Sequence, residues 1–199
     1  MNVSMISETS VPLSSWAGGT SREYYIYPPA ASYGEKNFLV RLSSAASHDD
    51  TPSRYTDLPG ITRYLIILEG TAKISHEGHH SLIMNPYDPV DVFDGAWKTV
   101  SQGKVTDFNL MLGRGAEGRM ELIEHDMDIP LNHPNRVSHE WLGFFCAAGM
   151  AVINMAEKSF NLQKGDLLLL ENFSAELSSL RISILDGKLI RLDACLSIS

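Results

Sequence analysis

Residues 64–93, "YLIILEGTAKISHEGHHSLIMNPYDPVDVF", read as an apolar strand, Gly70, a strand, a polar turn, a strand, a Pro-Tyr-Asp turn and a last strand. Each run is rich in Val, Ile, Leu, Phe or Tyr and too short for a typical helix. Residues 142–173, "LGFFCAAGMAVINMAEKSFNLQKGDLLLLENF", repeat the same order of events. Gly70 aligns with Gly149, and Pro86 with Gly165 in "KGD", at one common offset. A repeat of this length implies two β-domains of one design. The expected division is 1–112 and 113–199, packed as a single unit, in an all-β chain.

The rest of the chain has the same texture. "REYYIY" (22–27), "FLVRLSSA" (38–45), "VTDFNLML" (105–112) and "RMELIEH" (119–125) are expected strands. So are 141–147 and 150–155 on either side of Gly149, and 181–185 and 188–196 towards the end. One helical turn is expected around Ser14–Ala17 and another within 114–122. Sixteen Lys and Arg against 24 Asp and Glu give a net charge of −8. That balance argues against nucleic acid and against an anionic membrane surface. Cys146 and Cys195 form no CxxC pair and read as buried thiols. "MNVSMISETS" lacks the basic start and apolar core of a signal peptide, and no apolar run approaches the roughly 20 residues of a membrane helix. The expected location is cytoplasmic.

The order of strands and turns is similar to that of cupins, and the two copies to a bicupin. Cupins usually hold a metal with two histidines and a glutamate, the glutamate seven residues before the glycine that ends its strand. Counting back from Gly70 reaches Arg63, and the matching position in the second copy is Leu142. "YTDLPGIT" supplies no histidine pair and "PYDPVDVFD" no later histidine. No metal and no cofactor are therefore expected. The first half is the expected working half, and the second is mainly structural.

Arg63 poses the chemical question. In "LPGITRYLIILEG" (58–70) it shares a strand face with Ile61, Leu65 and Ile67, while Tyr64, Ile66 and Leu68 make the other face apolar. Arg41 sits in a similar run beside Leu39 and Ser43, and Arg22 shares a face with Tyr24 and Ile26. "VTDFNLML" sets Asp107, Asn109 and Met111 on one face. A buried unpaired charge costs several kcal/mol (roughly), so these groups must pair with one another or with a ligand. Three arginines against Glu23 and Asp107 leave one positive charge over. In "SWAGGTSREYYIYP" (15–28), Gly18 and Gly19 read either as a tight turn or as a backbone nest for an anion beside Thr20 and Ser21.

These stretches, "SWAGGTSREYYIYP", "FLVRLSSA", "LPGITRYLIILEG", "VDVFDG" and "VTDFNLML", resemble the HutD/Ves family, of bicupin fold. They span about residues 12–112, and the later repeat matches the family's second half loosely. "TSRE" carries one residue more than the family's usual Thr-Arg-Glu, and Ala17 stands where an Asn usually precedes the glycines. The resemblance implies a small cytosolic protein, in some bacteria associated with histidine utilisation. It also implies a binding or regulatory role toward a metabolite such as urocanate or an N-formyl amino acid.

The expected site is a pocket for a small anionic metabolite in the N-terminal half. Arg63 clamps a carboxylate through its planar fork. Arg41 or Arg22 assists, Asn109 orients, and Glu23 and Asp107 hold the arginines in place. Thr20 donates from the first loop, and Trp16, Tyr24 or Phe108 form walls. The rival is a cofactor-independent isomerase or lyase, with Arg63 stabilising an enolate and Glu23 or Asp107 moving a proton. A ligand-free scaffold with every arginine paired is the third reading. The lack of a metal triad or nucleophile motif leans away from an enzyme. Strand faces apolar on both sides could serve a homodimer. "SHEGHH" (75–80) is expected at a hairpin tip, with alternation splitting His76, His79 and His80 across faces, and His133 and His139 in a loop.

Overall fold

The computed structural model describes residues 1–131, 137–156, 158–173 and 177–197; the expected loop histidine His133 lies outside them. The strands are β1 (Asn2–Ile6), β2 (Leu13–Trp16), β3 (Gly19–Tyr27), β4 (Val40–Ser47), β5 (Ser53–Arg54), β6 (Thr62–Glu69), β7 (Ala72–His76), β8 (His80–Met84) and β9 (Asp91–Asp94). They continue as β10 (Thr99–Gln102), β11 (Thr106–Leu112), β12 (Ala116–Ile123), β13 (Met127–Pro130), β14 (Val137–Met155), β15 (Lys158–Gln163), β16 (Leu167–Glu171) and β17 (Ser179–Ser197). Among the described residues the one helical turn is a 3-10 turn at Glu8–Ser10. The turns expected near Ser14–Ala17 and within 114–122 are instead strands β2 and β12, because both stretches find ladder partners. No helix among the described residues is long and apolar enough to cross a membrane.

The chain divides into two compact units, Val11–Ala116 and Met1–Ser10 with Glu117–Ser199. The first ten residues, expected with the N-terminal half, belong to the other unit because β1 pairs antiparallel with β16.

In the 11–116 unit a six-stranded sheet runs β2-β3-β4-β11-β6-β9, and a four-stranded sheet runs β5-β10-β7-β8. Leu65, Ile67 and Phe93 of the first sheet meet Ala72, Ile74 and Met84 of the second in one apolar cluster. β6 is buried on both faces, with Leu65, Ile66 and Ile67 wholly inaccessible. The other unit is a seven-stranded sheet ordered β1-β16-β14-β17-β12, with β13 on β17 and β15 on β14. Leu142, which matches Arg63, lies fully buried in its apolar core with Phe144, Ile153, Leu168 and Leu189.

The repeat is visible in hydrogen bonds. Gly70 and Gly149 both have positive φ, +78° and +61°. The Tyr87 N–H donates to Ile67 O (2.9 Å), and the Gly165 N–H to Cys146 O (2.8 Å), each carbonyl three residues before its glycine. Asp88 accepts from the Asn85 N–H at 2.7 Å, and Asp166 from the Gln163 N–H at 3.0 Å. Gly165 therefore corresponds to Tyr87 and not to Pro86: the second copy is one residue shorter between glycine and turn. Gly149 is also a bulge where a turn was expected. The runs at 141–147 and 150–155 join into β14, those at 181–185 and 188–196 into β17, and the two pair along their length with register shifts near Ala148. A Cβ on Gly149 would stand 1.9 Å from Asp186 O, so only glycine fits there.

Candidate functional site

Register puts one polar patch on the inner face of the six-stranded sheet. β11 pairs with β4 and β6 so that Met111 lies between Arg41 and Arg63, Asn109 between Ser43 and Leu65, and Asp107 between Ala45 and Ile67. Arg41, Ser43, Ala45, Arg63, Asp107, Asn109 and Met111 line a cavity of about 320 Å³, together with Trp16, Tyr33, Tyr55 and, at the exposed rim, Arg54. That volume lies at the small end of ordinary small-molecule sites.

Arg63 is the centre of the patch. It is 6% exposed. One Nη donates to Asn109 Oδ1 at 3.3 Å, and the buried Nε has no hydrogen-bond partner among the described residues. Among the described residues no carboxylate forms an ion pair with it. The rings of Tyr55 and Phe93 lie 4.6 and 5.3 Å from its guanidinium carbon. Aromatic rings cover the face of a guanidinium, so hydrogen bonds are made at its edge. Burial pulls its pKa below the ordinary arginine value, against the pull of Tyr55, Tyr33 and Asp107; it remains a cation.

Arg41, equally buried, is provided for. Its Nε donates to Glu23 Oε2 at 2.7 Å, an Nη donates to Ser43 Oγ at 2.8 Å, and Tyr33 lies 4.3 Å from the guanidinium carbon. Asp107 reaches Arg63 through an intermediary. The Asn109 amide donates to Asp107 Oδ1 while its carbonyl accepts from Arg63. Burial pushes the Asp107 carboxyl up to about 7, against Arg63, the Asn109 bond and Arg41. Burial, and then the charge of Asp107, push the Tyr55 phenol up as well.

Of the sequence-derived candidates, Arg63, Arg41, Asn109, Asp107 and Trp16 line the cavity, and Glu23 touches it through Arg41. Arg22 and Thr20 are not among the lining residues. Arg22 instead donates to Val11 O at 2.6 Å. The expected Arg22–Tyr24–Ile26 face breaks at a bulge between Glu23 and Tyr25, which turns Ile26 to the Arg41 side. Tyr24 and Phe108, expected as walls, face each other on the opposite side of the sheet with ring centroids 6.2 Å apart. Gly18 and Gly19 serve close packing: a Cβ on Gly18 would stand 2.2 Å from the Trp16 ring, and one on Gly19 2.0 Å from Ala46 O. Tyr33 and Tyr55 escaped the sequence reading because they lie outside the periodic runs. The usable signal was a large aromatic within a polar loop.

The "SHEGHH" histidines also differ from expectation. Glu77, Gly78 and His79 form a three-residue turn with Gly78 at φ +79°, so His76 and His80 pair directly across β7 and β8. Their rings are 4.7 Å apart on one face, and His79 stacks on Trp97 at 3.7 Å.

Two β-units of one repeated plan, with a polar cavity in the first and an apolar core around the corresponding Leu142 in the second, define a bicupin. A family model described as HutD matches residues 8–192, and the chain belongs to the HutD family. A conserved protein of unknown function from Pseudomonas aeruginosa PAO1 is similar in structure, with TM-score 0.82, 18% identity, and 98% of this chain and 99% of that one covered. HutD from Pseudomonas fluorescens SBW25 (formate condition) has TM-score 0.78 and 16% identity over 99% and 100% of the two chains. The pirin YhhW from Escherichia coli has TM-score 0.64 and 9% identity over the full length of both. At these identities the likeness is one of fold. No curated protein is a significant match.

Proposed function

We propose that the 11–116 unit binds a small carboxylate-bearing metabolite, and that the protein acts in the cytoplasm as a binding or regulatory component of amino-acid catabolism, histidine catabolism being the first candidate. One observation carries this reading: a buried guanidinium, stacked on its face, has an Nε–H without an acceptor among the described residues. A carboxylate at that edge accepts two parallel hydrogen bonds and supplies the missing negative charge. Asn109 fixes the plane of the fork, and Asp107, when protonated, adds a donor. The resemblance to a family associated in some bacteria with histidine utilisation is what puts that pathway first.

A thermal-shift series with formate, acetate and urocanate on the wild type and on Arg63→Met tests the reading. Ligand at 100 times its dissociation constant adds about 2.7 kcal/mol of stability. The expected result is a saturable rise for at least one carboxylate in the wild type and none in the folded variant. No rise with any carboxylate, or equal rises in both proteins, overturns it. Asp107 near neutrality beside a buried cation is the observation favouring the catalytic rival. Exchange of a bound acid's α-proton with D₂O separates that rival from a binder.

A further inference from the structure

We propose that His76, His80 and Asp91 form a site for a first-row divalent cation of the zinc type, clamping the two sheets of the 11–116 unit together. His76 on β7 and His80 on β8 belong to the four-stranded sheet, while Asp91 on β9 belongs to the six-stranded sheet. One ligand atom from each lies within 4.8 Å of the others. His76 Nε2 is 3.0 Å from Asp91 Oδ2, and His80 Nε2 is 3.8 Å from Asp91 Oδ1. Zinc bonds of about 2.0–2.1 Å place tetrahedral ligand atoms about 3.3–3.4 Å apart. The half-exposed His80 is the ring placed to rotate and close that difference.

The surroundings point the same way. Thr99 Oγ1 lies 2.8 Å from His76 Nδ1 and holds the ring with its Nε2 3.0 Å from Asp91 Oδ2 inside the protein. A hydrogen-bond partner on the far ring nitrogen is how metal-binding imidazoles are oriented. Two imidazoles and one carboxylate suit zinc and its neighbours and do not suit Mg²⁺ or Ca²⁺, which prefer oxygen donors throughout. His76 and Asp91 are buried and His80 is half exposed, so the ion enters from the His80 side and a water completes the tetrahedron there.

The test is calorimetric titration of chelator-treated, chelator-free protein with zinc chloride. The expected result is one saturable site per chain and a raised unfolding temperature. His80→Ala, an exposed change, lowers the affinity at least tenfold. His79→Ala, which removes only the ring stacked on Trp97, leaves it unchanged. In the wild type, where no variant has to fold, zinc shifts the ring resonances of His76 and His80 before those of the other histidines. Absence of saturable binding, unchanged affinity in His80→Ala, or first shifts at other histidines each overturn the proposal. None of these outcomes bears on the carboxylate reading, which uses different side chains.

Discussion

Asp107→Asn isolates the cost of a carboxyl buried beside Arg63. Burial holds Asp107 at about 7, against an ordinary value of 3.8. Between those two values the unfolded chain has released the proton and the folded chain still holds it. Stability therefore falls as pH rises through this window, by at most about 1.4 kcal/mol per pH unit, and levels off above pH 7. Over about three units the loss is on the order of 4 kcal/mol. Asparagine is neutral throughout, and its side-chain carbonyl still accepts from Asn109. The other carboxylates titrate in both proteins and cancel in the comparison. Urea unfolding at half-unit steps from pH 4.5 to 8 should show the variant gaining on the wild type by several kcal/mol. Parallel profiles would refute the buried, protonated Asp107. The same proton couples to ligand: an anion at Arg63 favours protonated Asp107, so wild-type carboxylate affinity falls above pH 7 and that of Asp107→Asn does not.

Gly70 and Gly60 share φ +78°, but a Cβ on Gly70 would stand 2.1 Å from Lys104 O while Gly60 has open space. Gly60→Ala should cost about 1 kcal/mol and Gly70→Ala about 3 kcal/mol or more, read from urea midpoints. Glu23→Gln removes the charge that Arg41 holds at 2.7 Å; with Glu23 partly exposed the cost is about 1–2 kcal/mol. The same change frees a second guanidinium in the cavity, and calorimetry should find carboxylate affinity raised. Burial, then the charge of Asp166, push the Cys146 thiol up to about 11. At pH 8 about one molecule in a thousand carries its thiolate, so iodoacetamide should label Cys146 only after unfolding, as mass spectrometry would show.

The two-copy β plan was legible because glycines at positive φ punctuate apolar runs in both halves. Four pocket residues were legible for a related reason: Arg41, Arg63, Asp107 and Asn109 are polar side chains on strand faces that otherwise read as core. What escaped was set by features without a period. One bulge beside Glu23 reverses the face of Ile26, and another at Gly149 fuses two strands into β14. Arg22 lies off the cavity and donates to the Val11 carbonyl, a backbone contact that composition cannot show. His76 and His80 meet because a three-residue turn makes them cross-strand partners, which alternation along one strand does not reveal.

The most direct test of an unneutralised cation in the cavity is the side-chain Nε–H resonance of Arg63, assigned by its loss in Arg63→Met. It should exchange slowly with water and move saturably when formate, acetate or urocanate is added. A resonance that exchanges as fast as a surface arginine's, or that no carboxylate moves, would contradict the pocket.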